Sequence, residues 1–225
     1  MNREIKDRLN DLLTNHDDHM IFVAEIDNQI VAWVHGYLYR LFYVVPNDDN
    51  YSRPLSAKGK EDAEKLIKYF SDINITKVLC IPYQRAVHTV EVIAENKGLE
   101  IELIDDSRER TVADRYLDDE EFIDFVESQW NNFDYSLKGG ESFNQVQERG
   151  IKALEEVIQQ YAGENIIIGT HGTWLAVILN YFDDNYDLES WKTLKMPDAF
   201  LLKFTNGDLK YIDLKYIERL TDILE

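Results

Sequence analysis

Asn165-Ile166-Ile167-Ile168-Gly169-Thr170-His171-Gly172-Thr173 is the stretch on which the fold turns. Three isoleucines in succession, with no polar alternation, describe a strand buried on both faces, as in a parallel sheet covered by helices. A helical pattern follows from about Thr173 to Tyr181. Upstream, the apolar run Lys77–Ile81 is built alike and leads into a helical stretch, Arg85–Asn96. Ala63, Leu66, Ile67 and Phe70 form a helical face before it; strand-like Glu100–Ile104 and helical patterns at 119–130 and 141–161 come after it. This β/α alternation predicts an α/β fold, three-layered, with a mainly parallel sheet and helices on both faces. The late segment AFLLKFTNGDLKYIDL reads as two alternating strands around Asn206-Gly207, a hairpin signal.

The N-terminal part reads differently. Ile5, Leu9, Leu12 and Leu13 recur at helical spacing, and the strand-like runs Met20–Ile26 and Gln29–Val45 are hinged at Asp27-Asn28, so a helix and a β-hairpin are expected. The second run is too long for one ordinary strand and predicts two strands or a bend near Gly36 or Arg40. Pro46 to Pro54 has the composition of a loop. Residues 1–40 are therefore read as an appendage and 41–225 as the main domain. The unpaired hairpin strands have two destinations, an extension of the sheet or a homo-oligomer interface.

Composition narrows the function classes. With 24 Lys+Arg against 43 Asp+Glu the formal net charge is −19, and no run of five basic residues offers a local exception. Affinity for nucleic acid or an anionic membrane is not expected. A single cysteine, Cys80, excludes a disulfide framework and points to a reducing compartment. The charged start MNREIKDRLNDLL is neither a signal peptide nor a membrane span, so a cytoplasmic protein is expected. The five histidines are scattered, without metal-ligand spacing, and no metal or cofactor is expected.

Ligands of α/β proteins collect at the carboxyl ends of strands, which directs attention to Pro82–Thr89 and Thr170–Thr173. Arg85, at a helix start, suits a phosphate or carboxylate; its alternative is a surface ion pair. His171, between a buried strand and Gly172, suits a reactive or ligand-holding imidazole, or else a structural one. Glu109, flanked by Arg108 and Arg110, is a proton donor or half of an ion pair. His88 reads as packing or surface, and Cys80 as an inert core thiol.

Taken in order, Leu55, Ser56, Gly59 and Ala63 (LSxxGxxxA), then Pro82, Tyr83, Arg85, Ala86 and Thr89 (PYxRAxxT), then RER, Gly139–Ser142 (GGES) and Thr170–Gly172 (THG) resemble the histidine phosphatase superfamily, of phosphoglycerate-mutase-like fold. The likeness covers roughly Leu41 to Leu214. It implies phosphomonoesters of small molecules, or phosphate, as ligands. A histidine of an Arg-His-Gly motif ending the first strand attacks phosphorus, and a carboxylate protonates the leaving oxygen. A second histidine and arginines stabilise the transferring group. His171 matches the second histidine, Arg85 the phosphate-binding arginine and Glu109 the acid.

The nucleophile motif departs from this pattern. If Leu41–Val45 is the first strand, Pro46-Asn47-Asp48-Asp49 stands where Arg-His-Gly belongs, and the chain is an impaired or silent relative that binds without turnover. The alternative is an active small-molecule phosphatase using another nucleophile or His35, 20 residues before Leu55 in His35-Gly36, with Val34 in place of arginine. A third reading comes from Ile5–Leu13 and IFVAEIDNQIVAWVHGYLYRL, similar to the helix and hairpin in the first half of GNAT acetyltransferases. The Gly-rich pyrophosphate loop of those enzymes is absent, which disfavours acetyl-CoA binding.

Overall fold

The computed structural model describes residues 18–26, 29–37, 51–52, 54–55, 57–194, 198–205 and 213–219. Strands β1 (Asp18–Ile26) and β2 (Gln29–Tyr37) form the expected antiparallel hairpin, with Ile26 opposite Gln29. Then follow α1 (Ala57–Phe70), β3 (Lys77–Cys80), α2 (Gln84–Lys97) and β4 (Ile101–Leu103). Helices α3 (Asp119–Asn131) and α4 (Phe143–Gln160) precede β5 (Ile166–Thr170), α5 (Gly172–Phe182) and the short α6 (Leu188–Lys192). Strands β6 (Ala199–Thr205) and β7 (Asp213–Arg219) pair antiparallel, as expected of the C-terminal hairpin. The N-terminal helical pattern of residues 3–14, Leu41–Val45 and Pro46–Asp49 lie outside the described residues.

The sheet order is β4-β3-β5-β2-β1-β6-β7, with a further β2–β6 pairing. Pairings β3–β4, β3–β5, β2–β5 and β1–β6 are parallel, giving the expected α/β architecture. The N-terminal hairpin therefore lies inside the sheet, not at its edge.

Period-2 alternation sends successive side chains of β3 and β5 into different layers. Leu79, Ile166 and Ile168 pack with Phe143, Leu154, Leu175 and Ile178 of α4 and α5. Val78, Cys80 and Ile167 pack with Leu66 and Phe70 of α1 and Ala86, Val90 and Ile93 of α2 on the other face. Each such aliphatic or aromatic side chain contributes about 1.5–3 kcal/mol when fully buried, so two-sided burial accounts for the unbroken apolar runs. A smaller cluster, Phe122, Phe125 and Val126 of α3 with Ala176 and Trp191, seats α3 against α5 and α6. Asp118 caps α3 and Ser142 caps α4, each in a reciprocal capping box with the residue three positions on, Glu121 and Gln145.

Gly169 sets how closely β5 approaches its neighbours. A Cβ there would lie 2.6 Å from Cys80 Sγ and 3.0 Å from Val90 Cγ1. Because β3 and β5 run parallel in register, Cys80 opposite Gly169, their carboxyl ends open on one side. Residues 82–85 and 171–173 meet there. We expect Gly169→Ala to cost about 1–3 kcal/mol through overpacking. That cost should shrink in a Cys80→Ala background, and urea titration of the four-member mutant cycle measures the coupling.

Candidate active site

Arg85 is the second residue of α2, and His171 is the residue between β5 and α5. Both are buried, and Arg85 Nη2 lies 3.2 Å from His171 Nε2. A guanidinium has no acceptor, so in this contact Nη2 can only donate and Nε2 accept. Sequence reading named these two residues separately, 86 positions apart; the parallel β3–β5 pairing puts them in contact.

Glu109, also buried, reaches the same place from a loop. Its Oε2 accepts the backbone N–H of Thr173 at 3.2 Å, in the first turn of α5, and its Oε1 accepts the N–H of Arg110 at 2.8 Å. The helix start favours a negative group at that position. Each carboxylate oxygen keeps a second lone pair, so the group remains able to receive or pass a proton. Arg110, 3.6 Å from Glu109 through Nη1, is itself buried. Its guanidinium lies over the rings of Phe122, Phe125 and Phe143 at 5.5–6.0 Å, and its Nε donates to Gln129 Oε1 at 3.0 Å. The ion-pair alternative for Glu109 therefore coexists with its hydrogen bond to the start of α5, two residues after His171.

The loop carrying Glu109 is held from α4. Arg149 Nη1 donates to the carbonyls of Asp106 (2.8 Å) and Arg108 (3.0 Å), and Nη2 to that of Glu109 at 3.4 Å. Its Nε donates to Glu141 Oε1 at 2.8 Å, while Glu141 Oε2 accepts the Thr111 N–H at 2.8 Å. One ion pair thus fixes backbone groups from 106 to 111. Gly140 permits it, since a Cβ there would fall 2.1 Å from Val112 O. Thr170 Oγ1 ties the end of β5 to the same loop by donating to Ser107 O at 2.5 Å.

Tyr83 lines the site too, its ring edge-on to His171 at 4.7 Å and beneath the Arg85 guanidinium at 4.7 Å. Burial, then Tyr51 beside it, raise the pKa of the Tyr83 phenol, while Arg85 opposes the rise. His88, one turn along α2, is half-buried, and its Nδ1 has no hydrogen-bond partner among the described residues. Burial pushes the Cys80 thiol upward, as befits an unreactive core residue.

The fourth candidate, His35, lies near the end of β2. There β2 pairs β5 in parallel with His35 opposite Thr170, one residue before His171. Of the residues above, sequence reading missed the roles of Arg149, Glu141 and Gln129, and named Arg110 only as a flank and possible ion-pair partner of Glu109. Only the GGES motif flagged Glu141, and no spacing rule links it to Thr111, 30 positions away.

This constellation of arginine, histidine and carboxylate on one side of a parallel sheet coincides with a family match. The sequence model of the histidine phosphatase superfamily (branch 1) covers residues 50–210. The chain belongs to that superfamily. It is 27% identical over 126 residues to an uncharacterized phosphatase, PhoE, of Bacillus subtilis (strain 168), a match spanning 56% of this chain and 63% of that protein. It is 28% identical over 137 residues to the adenosylcobalamin/alpha-ribazole phosphatase of Escherichia coli (strain K12), spanning 56% and 65%. The chain thus spans just under two thirds of the length of these relatives. Among solved structures, mycobacterial glucosyl-3-phosphoglycerate phosphatase superposes with a TM-score of 0.63 at 17% identity, over 88% of this chain and 96% of that one. Bacillus stearothermophilus YhfR superposes with a TM-score of 0.55 at 20% identity, over 74% and 80%. These last two likenesses concern the fold. The superfamily match begins at residue 50 and lends no support to an acetyltransferase likeness in residues 5–40. Among the described residues no helix is long and apolar enough to cross a membrane.

Burial disfavours ionisation of Glu141, but the Arg149 hydrogen bond and charge, the Thr111 N–H and Arg108 outweigh it and hold its carboxyl below the ordinary 4.5. Its folded pKa is thus lower than its unfolded one, so this stabilisation is present above about pH 4.5 and is lost as pH falls through the depressed folded value. Glu141→Gln should therefore cost about 1.5–3 kcal/mol at neutral pH, the range for hydrogen bonds to charged groups. The gap from wild type should close in acid, as read by denaturant titration across pH.

Proposed function

We propose that this protein is a phosphatase of small phosphorylated molecules in which Arg85 and His171 hold the phosphoryl group and Glu109 handles the leaving-group proton. The single observation that carries this reading is the 3.2 Å contact of Arg85 with His171 at the carboxyl ends of β3 and β5. It brings a permanent cation and an imidazole to one point beside a carboxylate. Phosphoryl transfer needs chiefly this, positioned donors facing the charge that develops on the transferring group.

In this reading the nucleophile is His35. The β2–β5 register supports it, because the strand beside β5 is one that ends in His35-Gly36-Tyr37. A ring nitrogen of His35 forms the P–N bond as the ester P–O bond breaks, and Glu109 relays the proton of the phosphomonoester monoanion to the departing oxygen. Water, deprotonated by Glu109, then cleaves the phosphohistidine and releases phosphate. The place of β1 and β2 within the sheet supports counting the hairpin as part of the phosphatase fold. The second reading is a silent phosphate-binding relative with Pro46-Asn47-Asp48-Asp49 in the nucleophile position. It draws on that segment, which offers no histidine nucleophile and puts Asp48 and Asp49 where the superfamily motif carries a cation. A charge pair about 4 Å apart is worth roughly 4 kcal/mol at an effective dielectric near 20, so the missing cation weakens phosphate capture, at Val34 if His35 is the nucleophile and at Pro46–Asp49 in the silent reading.

Hydrolysis of para-nitrophenyl phosphate, with acid-quench trapping of phosphoenzyme, separates the two. Wild type should turn over, His35→Ala and His171→Ala should lose at least a hundredfold in kcat/KM, and His35→Ala should trap no phosphate. Undiminished turnover by His35→Ala would remove it as nucleophile. Folded wild type without turnover or trapped phosphate would leave the silent reading. Val34→Arg should tighten phosphate binding at least tenfold by restoring a cation, which calorimetric titration with inorganic phosphate checks.

A further inference from the structure

The aromatic residues beside the anion site carry one more step, which rests on the reading of Arg85 and His171 as phosphate-holding groups. Tyr51 and Tyr83 are stacked, ring centroids 4.4 Å apart and planes inclined by 19°. Tyr83, the inner ring, is buried and meets His171 edge-on. Tyr51, the outer ring, is 47% exposed. Its backbone is anchored, since Tyr51 O accepts the N–H of Gln84, the first residue of α2, at 2.7 Å. The outer ring is thus fixed to the helix that carries Arg85, two ring contacts from His171, with surface open to solvent. Solvent-facing tyrosine is common on proteins, but here it continues an aromatic stack that starts at the candidate catalytic imidazole.

Tyr83 touches both the Arg85 guanidinium and the His171 imidazole, so the stacked pair borders the site from which the alcohol portion of a bound phosphomonoester extends. We propose that Tyr51 is a stacking platform for that portion, so that the site selects phosphomonoesters whose leaving group is planar and aromatic over aliphatic ones of equal size. Offset stacking on an anchored ring gives a planar partner an advantage that a saturated ring of similar area lacks. The Tyr83 phenol, kept neutral by burial and by Tyr51, adds no charge against the phosphate. The overall charge of −19 also disfavours acidic leaving groups such as polyphosphorylated or polycarboxylated alcohols.

The test uses non-hydrolysable ligands, so it does not depend on turnover. Benzylphosphonate, cyclohexylmethylphosphonate and methylphosphonate are titrated calorimetrically into wild type, Tyr51→Phe and Tyr51→Leu. Wild type should bind benzylphosphonate roughly three- to tenfold more tightly than cyclohexylmethylphosphonate. Tyr51→Phe should keep that ratio, and Tyr51→Leu, which keeps an apolar side chain without a planar face, should bring it close to one. Equal affinities in wild type, or a ratio unchanged in Tyr51→Leu, would overturn the platform while leaving the phosphate site standing. Failure of all three phosphonates and of inorganic phosphate to bind folded wild type would overturn the phosphate site and the platform together.

Discussion

Burial of β5 on both faces is the constraint from which the rest follows. Ile166, Ile167 and Ile168 are fully buried, and neighbouring side chains diverge into two cores, one under α4 and α5 and one under α1 and α2. A strand placed in this way leaves no solvent route along its length, so polar chemistry is possible only where it ends. It ends at Thr170, and the next residue is His171. Gly169 lets β3 and α2 close on the strand just before that point, and this close approach brings Arg85 within reach of the imidazole.

The second organising feature is the way buried charge is accommodated. Arg85, Glu109 and Arg110 are all withdrawn from water, which is costly for ionised groups unless each has close partners. Glu109 is held by two backbone N–H groups and the Arg110 guanidinium; Arg110 is held by Gln129 and three aromatic rings. Outside them, the Arg149–Glu141 pair fixes the loop backbone through carbonyls and an amide rather than through side chains. Such a shell holds the Glu109 carboxylate at the start of α5, two residues after His171, and the proposed phosphoryl transfer depends on positioning of this kind.

The N-terminal hairpin joins the sheet beside the same strand end. Its β2 register brings the backbone of His35 level with Thr170, which ties the question of catalytic competence to that one pairing. The stacked tyrosines lie at the start of α2, with Tyr83 in edge contact with His171. Membership of the histidine phosphatase superfamily frames both features without deciding either, because a shared fold carries many substrates and does not by itself guarantee chemistry.

From the sequence alone, the layer architecture was legible, because uninterrupted apolar runs such as Ile166–Ile168 admit few alternatives to a doubly covered strand. Arg85, Glu109 and His171 were legible as candidates, because strand ends and the family's motif order pointed to them. The contacts were not. Arg85 with His171, Glu109 with Thr173, and Arg149 with the carbonyls of 106–109 join residues 40 to 86 positions apart. Whether Glu109 was an acid or an ion-pair partner could not be read locally, since its two N–H donors come from its own loop and from a helix 64 residues on. Tyr51 and Tyr83 likewise became a stack only when the chain closed, because hydrogen bonds and ring contacts act over a few ångströms of space and not along the chain.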